Sequence, residues 1–195
     1  QLVDQAWRTA GLRELVTIPL YLMALLSLPE GAPFPTTKEE VLRRFVAMHE
    51  QDPGRAAALR ATLFGFQHEY LDSLAVFATT AANTAIADTN ARKCVAETAR
   101  VLVDDGQITI TTQPDVLLDV LVSNHVLTRS GDTPGYSFQH QQFQEWYASN
   151  HVERLMLEAV SDPAARDRLK ADVLDKRPWE EAVLFAVERT ARGDA

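Results

Sequence analysis

Cysteine is nearly absent from this sequence, and long apolar runs are missing too. The single cysteine, Cys94, excludes an internal disulfide and a cysteine-rich zinc site, and it fits a reducing compartment. The longest apolar run, residues 18–28, contains a proline and has about half the length that a membrane-spanning helix requires. No charged and then apolar secretory signal opens the chain. We therefore expect a cytoplasmic protein with no membrane partner.

A start methionine is also lacking. The chain begins at Gln1, and Leu2, Val3, Ala6 and Trp7 follow in a pattern typical of the middle of a helix. We therefore expect this sequence to be a segment of a longer protein.

The residues of a phosphate-binding loop are missing as well. Such a loop needs a glycine followed by a lysine, so that backbone N–H groups and an ammonium surround the β- and γ-phosphates. None of the eight glycines precedes a lysine. The five histidines show no H-E-x-x-H spacing, and Cys94 lies within a predicted helix without a catalytic motif around it. We expect no catalytic residue and no metal site, so the segment is not an enzyme by itself.

Helical periodicity and turn residues predict a small all-α domain in residues 1–66. Pro19 either kinks or starts a helix whose leucines face inward. Thr36 with Glu39, and Thr37 with Glu40, both fit the capping-box pattern at the start of a helix over residues 38–51. A further helix is predicted over residues 55–64, after Pro53 and Gly54 end the one before it.

The pattern changes in residues 67–158. Helices are predicted over residues 68–82, over residues 90–104 and from Pro114 to Asn124. Residues 126–129 and 136–138 then form a β-hairpin, because the segment between them is rich in turn residues. Residues 85–87 are a candidate edge strand, and residues 108–110 are either a strand or an extended loop. Three helices followed by a two-stranded wing make a winged-helix domain.

The predicted fold class is thus mainly α, with a helical domain, a winged-helix domain with a short β-hairpin wing, and C-terminal helices. The C-terminal part, residues 159–195, contains two predicted helix starts, at Pro163 and Pro178. In the second helix the predicted buried face is formed by four apolar side chains: Trp179, Val183, Leu184 and Val187.

His140 lies where the hairpin gives way to a long amphipathic helix. Phe143, Trp146, Tyr147 and Leu155 fall on one face of that helix, so the face is buried. The N-terminus of a helix offers free N–H groups and a positive dipole end, and an anionic group binds well there. His140 can therefore add a hydrogen bond to a bound phosphate, or it can simply cap its own helix.

Two motifs resemble segments of NACHT-type STAND ATPases, signalling switches that include animal inflammasome receptors and bacterial defence proteins. The first is Phe138-x-His140-x-x-Phe143-Gln144-Glu145-x-x-Ala148, which is similar to the end of the family's winged-helix domain. The second is Gly11-Leu12-x-Glu14-Leu15-x-x-Ile18-Pro19-Leu20-x-Leu22, which is similar to the family's helical domain. The two motifs also occur in the same order as in the family, about 120 residues apart. The resemblance covers residues 8–158.

This resemblance implies a role for two residues and a set of partners. His140 would contact the phosphates of bound ADP, and Pro19 would pack against the adenine. The cofactors would be ADP and ATP, held with Mg²⁺ by an NTPase core N-terminal to Gln1. The other implied partner is a second copy of the protein, with which it oligomerises on activation in signal transduction and innate defence. Residues 159–195 would lead into a sensor or repeat region.

A winged-helix DNA-binding transcription regulator is the alternative function. Its recognition helix would be residues 114–124, which present Asp115 and Asp119 and no basic residue. The wing contains one acidic residue, Asp132, and one basic residue, Arg129, so their charges cancel. The whole chain has a formal net charge of −8. Because DNA binding needs clustered Lys and Arg, nucleic acid is the less favoured partner. A third possibility is a scaffold that contacts no nucleotide.

Overall fold

Prolines and short polar side chains mark the helix starts in the first part of the computed structural model, which describes residues 17–124, 126–130 and 134–193. Three helices form there: α1 (Pro19–Leu26), α2 (Lys38–Glu50) and α3 (Pro53–Leu63). Pro19 and Pro53 are the first residues of their helices, where the missing N–H costs nothing. Pro19 therefore starts α1. The helical pattern predicted around Leu2 to Trp7 and the motif residues Gly11, Leu12, Glu14 and Leu15 lie outside the described residues.

Capping fixes the start of α2. The Thr37 side chain accepts a hydrogen bond from the Glu40 backbone N–H at 3.3 Å, and the Glu40 carboxylate accepts one from the Thr36 N–H at 2.9 Å. This confirms the Thr37–Glu40 capping pattern, shifted so that the glutamate reaches one residue further back. The pairing of Thr36 with Glu39 is wrong, because the Glu39 side chain turns into the protein and is 1% exposed.

Helices alternate with short strands in the middle of the chain. The elements are α4 (Gln67–Thr80), β1 (Ala85–Ala87), α5 (Asp88–Asp104), α6 (Pro114–Ser123), β2 (Leu127–Arg129), β3 (Gly135–Phe138) and α7 (Gln141–Glu158). The candidate edge strand at residues 85–87 is thus confirmed. The strand considered at residues 108–110 does not form, and only Ile108 of the two isoleucines there is buried.

The three strands form one small antiparallel sheet in the order β1-β3-β2. Ile86 pairs with Tyr136, and Leu127 pairs with Phe138, so β1 and β2 flank β3. Gly135 is required at this junction, because a Cβ atom there would lie 2.6 Å from the Ile86 carbonyl oxygen. The tip of the hairpin, residues 131–133, lies outside the described residues.

The last part of the chain folds back on α7. It contains α8 (Pro163–Arg168), a π-helical turn (Leu169–Leu174), a 3₁₀ turn (Arg177–Trp179) and α9 (Glu180–Thr190). Ala182, Phe185 and Ala186 are the buried residues of α9. The predicted buried face is therefore wrong for Leu184 and Val187, which are exposed, whereas Trp179 is buried as predicted. The small alanines let α9 approach α7 closely.

One apolar core joins α1–α3 to the remaining elements. α7 is central to it and packs against both α4 and α9. Its predicted face is confirmed, since Phe143, Trp146, Tyr147 and Leu155 are all buried. The described residues are thus mainly helical, with a small three-stranded antiparallel sheet.

Candidate functional site

His140 occupies the N-cap position of α7, in an extended backbone conformation between β3 and the helix. Its side chain makes no capping hydrogen bond, and no acidic side chain lies in the first turn of α7. The imidazole is half-buried, and its ring centroid lies 5.9 Å from that of Phe143. With the residues that the structure describes, it forms no other hydrogen bond or ion pair. The prediction that the His140 side chain caps its own helix is therefore wrong.

The backbone around His140 is held firmly. The Gln139 N–H donates to the Val126 carbonyl at 3.1 Å, and the Phe143 N–H donates to the His140 carbonyl at 3.0 Å. Phe143 in turn stacks on Phe45 of α2, with 6.1 Å between ring centroids. The backbone at His140 is thus fixed, and it carries an imidazole with free donor capacity beside the positive end of a helix dipole, where a small anion would be stabilised.

The other motif residues near His140 have structural roles. Phe138, Phe143 and Ala148 are buried in the core. The buried Gln144 amide donates to the Thr79 hydroxyl at 3.3 Å and to the Asn83 carbonyl at 3.2 Å, so it ties α7 to the end of α4. Glu145 accepts from the Gln141 amide at 2.8 Å, and burial, with Glu181 nearby, raises the pKa of its carboxyl.

Pro19 lies on the surface at the start of α1, and its ring is exposed. About one turn of helix further on, Met23 borders the same cavity as Gln139, which precedes His140, and Phe143, which lies one turn after it. Tyr21 of α1 is buried, and this burial together with Glu145 raises its pKa. The helices that begin at Pro19 and after His140 thus both contribute to one cavity, although neither Pro19 nor His140 lines it.

We call this cavity, of about 260 Å³, the central cavity. Apolar side chains form most of its wall, and its imidazole and charged side chains, His49, Glu50 and Arg55, come from the end of α2 and the start of α3. The lining residues are Met23, Phe45, Val46, His49, Glu50, Arg55, Leu59, Gln67, Leu71, Leu121, Asn124, Val126, Gln139, Phe143 and Tyr147. No sequence pattern pointed to it, because its wall combines residues from six helices.

A second polar cluster was also missed from the sequence. The Arg189 guanidinium donates to Glu39 at 3.2 Å, to Glu153 at 2.7 Å and to the Ser149 hydroxyl at 2.9 Å. It also donates to the Asn150 amide oxygen and lies over the Trp146 ring, 5.5 Å from its centroid. We call Glu39, Ser149, Asn150, Glu153 and Arg189 the ionic joint, because they connect α2, α7 and α9.

Asp115 and Asp119, on the exposed side of α6, are both ion-paired. Asp115 contacts Arg92 of α5, and Asp119 contacts Arg129 of β2. Arg92 also pairs with Asp88 at 2.6 Å, so three carboxylates surround two guanidinium groups on this face. Asp132 and His125 lie outside the described residues. The face therefore lacks the excess of positive charge that a DNA backbone requires.

Cys94 is half-buried, and its Sγ lies 3.0 Å from the Ser73 hydroxyl. Burial raises the pKa of this thiol, so little thiolate forms at neutral pH. In the part of the chain that the structure describes, no group of three or more His, Cys, Asp or Glu side chains is arranged to hold a metal ion. Nor is any helix within those ranges both long and apolar enough to cross a lipid bilayer.

No protein-family model matches this chain, and none of the curated proteins matches it.

Proposed function

We propose that this chain is the regulatory, nucleotide-sensing segment of a NACHT-type STAND signalling ATPase. In this proposal, residues 1–66 belong to the helical domain, residues 67–158 to the winged-helix domain, and residues 159–195 to helices that lead into a sensor region. The catalytic core that holds ADP, ATP and Mg²⁺ is a separate part of the same protein.

The observation that carries the proposal is the state of His140. Its imidazole has no capping partner, it is fixed at the start of α7, and the first turn of α7 has no acidic side chain to satisfy its N–H groups. A phosphate oxygen placed there would accept a hydrogen bond from His140 and would also meet the positive end of the helix dipole.

The order of elements supports the same proposal. α4, β1, α5 and α6 are followed by the β2–β3 hairpin, and the sheet has the order β1-β3-β2. This succession of three helices, an edge strand and a two-stranded wing is typical of winged-helix domains, the fold that the sequence motif implies. From residues 1–66, α2 contacts α7 and α3 packs against α6, as a neighbouring helical domain would.

The proposed mechanism is a switch with two states. In the ADP state, His140 donates to the nucleotide phosphates while Pro19 packs against the adenine. The winged-helix domain then lies over the nucleotide and hides the surface through which copies of the protein assemble. Exchange of ADP for ATP releases the domain as a rigid body and allows oligomerisation.

Removal of the imidazole tests this proposal in the full-length protein. A hydrogen bond to a charged phosphate contributes about 1.5–3 kcal/mol, so His140→Ala should weaken ADP binding by about ten- to hundredfold and raise basal signalling. ADP affinity is measured by the release of a fluorescent analogue, and assembly by light scattering.

Two variants serve as controls for this experiment. His140→Asn keeps a side-chain donor and should retain more of the ADP affinity than His140→Ala. Gln141→Ala alters the same helix end without touching the imidazole and should bind ADP normally. If His140→Ala leaves both ADP affinity and basal assembly unchanged, the assignment of this residue is wrong.

DNA binding is the competing function, and the charges on α6 disfavour it. A gel-shift assay with random duplex DNA at low salt separates the two functions, because backbone contacts are strongest there. We expect no shift from this chain. A shift that weakens with added salt would favour the DNA-binding alternative.

A further inference from the structure

The central cavity has the size of a small ligand. Its volume of about 260 Å³ exceeds the roughly 150 Å³ that admits benzene in an engineered protein cavity. It lies just below the roughly 300 Å³ at which pockets for drug-sized molecules begin. The cavity therefore fits a compound with one or two fused rings.

The wall of the central cavity is apolar over most of its area. Phe45, Leu59, Leu71, Leu121 and Tyr147 come from five different helices, and all of them are buried. Phe143 adds an aromatic ring stacked on Phe45. Flat apolar surfaces of this kind favour an aromatic ligand body, because offset and edge-to-face ring contacts add to the burial of apolar area.

The polar end of the cavity offers one positive charge. Arg55 donates to Nδ1 of His49 at 2.9 Å, and a guanidinium can only donate, so this imidazole nitrogen is an acceptor and carries no proton. Arg55 has no salt bridge with a carboxylate among the described residues, although Asp52 accepts its backbone N–H at 3.0 Å. Its remaining N–H donors are thus available to an anion.

Among the residues that line the cavity, Glu50 is the one carboxylate, and it is already engaged. Glu50 accepts from His68 at 2.8 Å and from the Gln67 amide at 3.4 Å, which turns its charge toward α4. Partial burial and the neighbouring Arg55 lower the pKa of His49, and this keeps the imidazole neutral near pH 7. Arg55 is therefore the cation that would meet an incoming ligand.

We propose that the central cavity binds a small aromatic carboxylate. Its ring would lie among Phe45, Leu71 and Phe143, and its carboxylate would pair with Arg55. Arg–carboxylate pairs are often bidentate, which would fix the orientation of the ligand. The site uses neither His140 nor Pro19, so it stands independently of the proposed nucleotide role.

A bound ligand would also strengthen the connection between two parts of the molecule. Phe45, Val46, Arg55 and Leu59 belong to α2 and α3, whereas the opposite wall belongs to α4, α6 and α7. A compound that contacts both walls stabilises their present arrangement by mass action. The site would therefore favour the packed state of these helices over any state in which they separate.

Calorimetric titration of the 195-residue chain with naphthalene-2-carboxylate tests the proposal. We expect binding with a Kd of about 0.1 mM or lower, a modest ligand efficiency for a compound of this size. Arg55→Gln should weaken binding of the acid by about tenfold or more, but it should leave binding of the neutral naphthalene-2-carboxamide unchanged. Arg60→Gln alters an exposed arginine on the same helix and is the matched control, with acid binding as in the unchanged chain.

Two further measurements locate the ligand. The methyl resonance of Met23, which lines the cavity, should shift on titration, whereas that of Met156 near the other end of α7 should not. Val46→Phe fills the cavity and should abolish binding of both compounds, with folding checked by circular dichroism. The Met23 measurement decides the question if Val46→Phe does not fold.

Three outcomes would overturn the proposal. The first is the absence of any binding of the acid by the unchanged chain at millimolar concentration. The second is binding that leaves Met23 unperturbed or is insensitive to Arg55→Gln. The third is displacement of the acid by ADP, which would make the cavity part of a nucleotide site instead.

Discussion

At the scale of single residues, Asp72 has a carboxyl whose pKa lies well above its usual range. It lies on α4 with only 6% of its surface exposed, and burial raises the pKa of its carboxyl to about 6. The Asn150 amide donates to it at 2.7 Å and Arg154 lies 3.6 Å away, and both oppose this rise. Because the folded pKa lies above the unfolded value, the contribution of Asp72 to stability increases as pH falls from about 7 to 4.

Replacing Asp72 by asparagine should therefore stabilise the protein at pH 8. The amide is not charged, and its oxygen can still accept from Asn150, so the free energy of unfolding should rise by about 1–3 kcal/mol. The gain should disappear as pH is lowered to about 4, where Asp72 is protonated. Urea denaturation at several pH values measures this difference.

Comparison of the unchanged protein with Asp72→Asn cancels the contributions of His49 and His151, whereas His68 lies close enough to Asp72 for each to shift the pKa of the other. Hydrogen bonding to Glu50 raises the pKa of His68, and this stabilisation is lost as pH rises above about 6.5. Burial lowers the pKa of His49 and His151, and they contribute in the opposite direction. All three titrate in both proteins. A pH-independent difference would show that Asp72 is not the group responsible.

At the scale of helices and strands, local signals decide where each element begins. Asp52 precedes Pro53, and its carboxylate accepts the Arg55 N–H at 3.0 Å as the N-cap of α3. α3 carries Leu59 and Leu63 into the core and packs against α6. The cap thus supports an element that also forms part of the central cavity.

Loss of this cap should destabilise the protein modestly. Asp52→Ala removes the acceptor for an N-terminal N–H group and should lower the free energy of unfolding by about 1 kcal/mol. Asp52→Asn keeps an acceptor oxygen and should cost much less. Thermal denaturation of both variants measures the effect, and equal losses in the two would contradict a capping role.

Local signals also explain which parts of the fold could be predicted. Pro114 and Thr37 mark helix starts as predicted, because prolines and caps act within a few residues. The strand at residues 85–87 also forms as predicted, although residues 108–110 are richer in β-branched side chains and form no strand. The inward face of α9 was predicted only in part. Ala182, Val183, Leu184 and Phe185 are all apolar, so several faces satisfy the pattern. Which face is buried depends on the shape of α2 and α7, and this is not a local property.

The same distinction applies to the candidate sites. His140 was found from the sequence because a strand, a histidine and an amphipathic helix are consecutive in the chain. The ionic joint was not found, because Glu39 and Arg189 lie 150 residues apart in sequence. The central cavity is harder still to predict from the sequence, since residues of six helices form its wall.

At the scale of the whole molecule, the ionic joint connects the first and last parts of the chain. Arg189 is 11% exposed and Glu39 only 1%, so both charges are largely removed from water. Glu39 is also within 3.5 Å of Arg192, and its backbone N–H donates to Glu188 at 3.1 Å. Removing one member therefore leaves a buried charge without its main partner.

Arg189→Leu should lower the free energy of unfolding by about 3–5 kcal/mol, mainly because the largely buried Glu39 and Glu153 carboxylates lose the guanidinium that they share. Urea denaturation measures it. Arg100→Leu removes an exposed ion-paired arginine on α5 and should have little effect. Combining Arg189→Leu with Glu39→Leu should recover part of the loss. A double variant that is as unstable as the sum of the two single variants would contradict direct coupling.

The ionic joint has a consequence for how this chain can vary over evolution. A lineage that loses the guanidinium at position 189 keeps a desolvated carboxylate at position 39 unless that residue is also replaced. Homologous chains should therefore show covariation between positions 39 and 189, with acid–arginine or apolar–apolar combinations in place of mixed ones. The glutamate at position 153 contacts the same guanidinium, and this position should covary more weakly with positions 39 and 189.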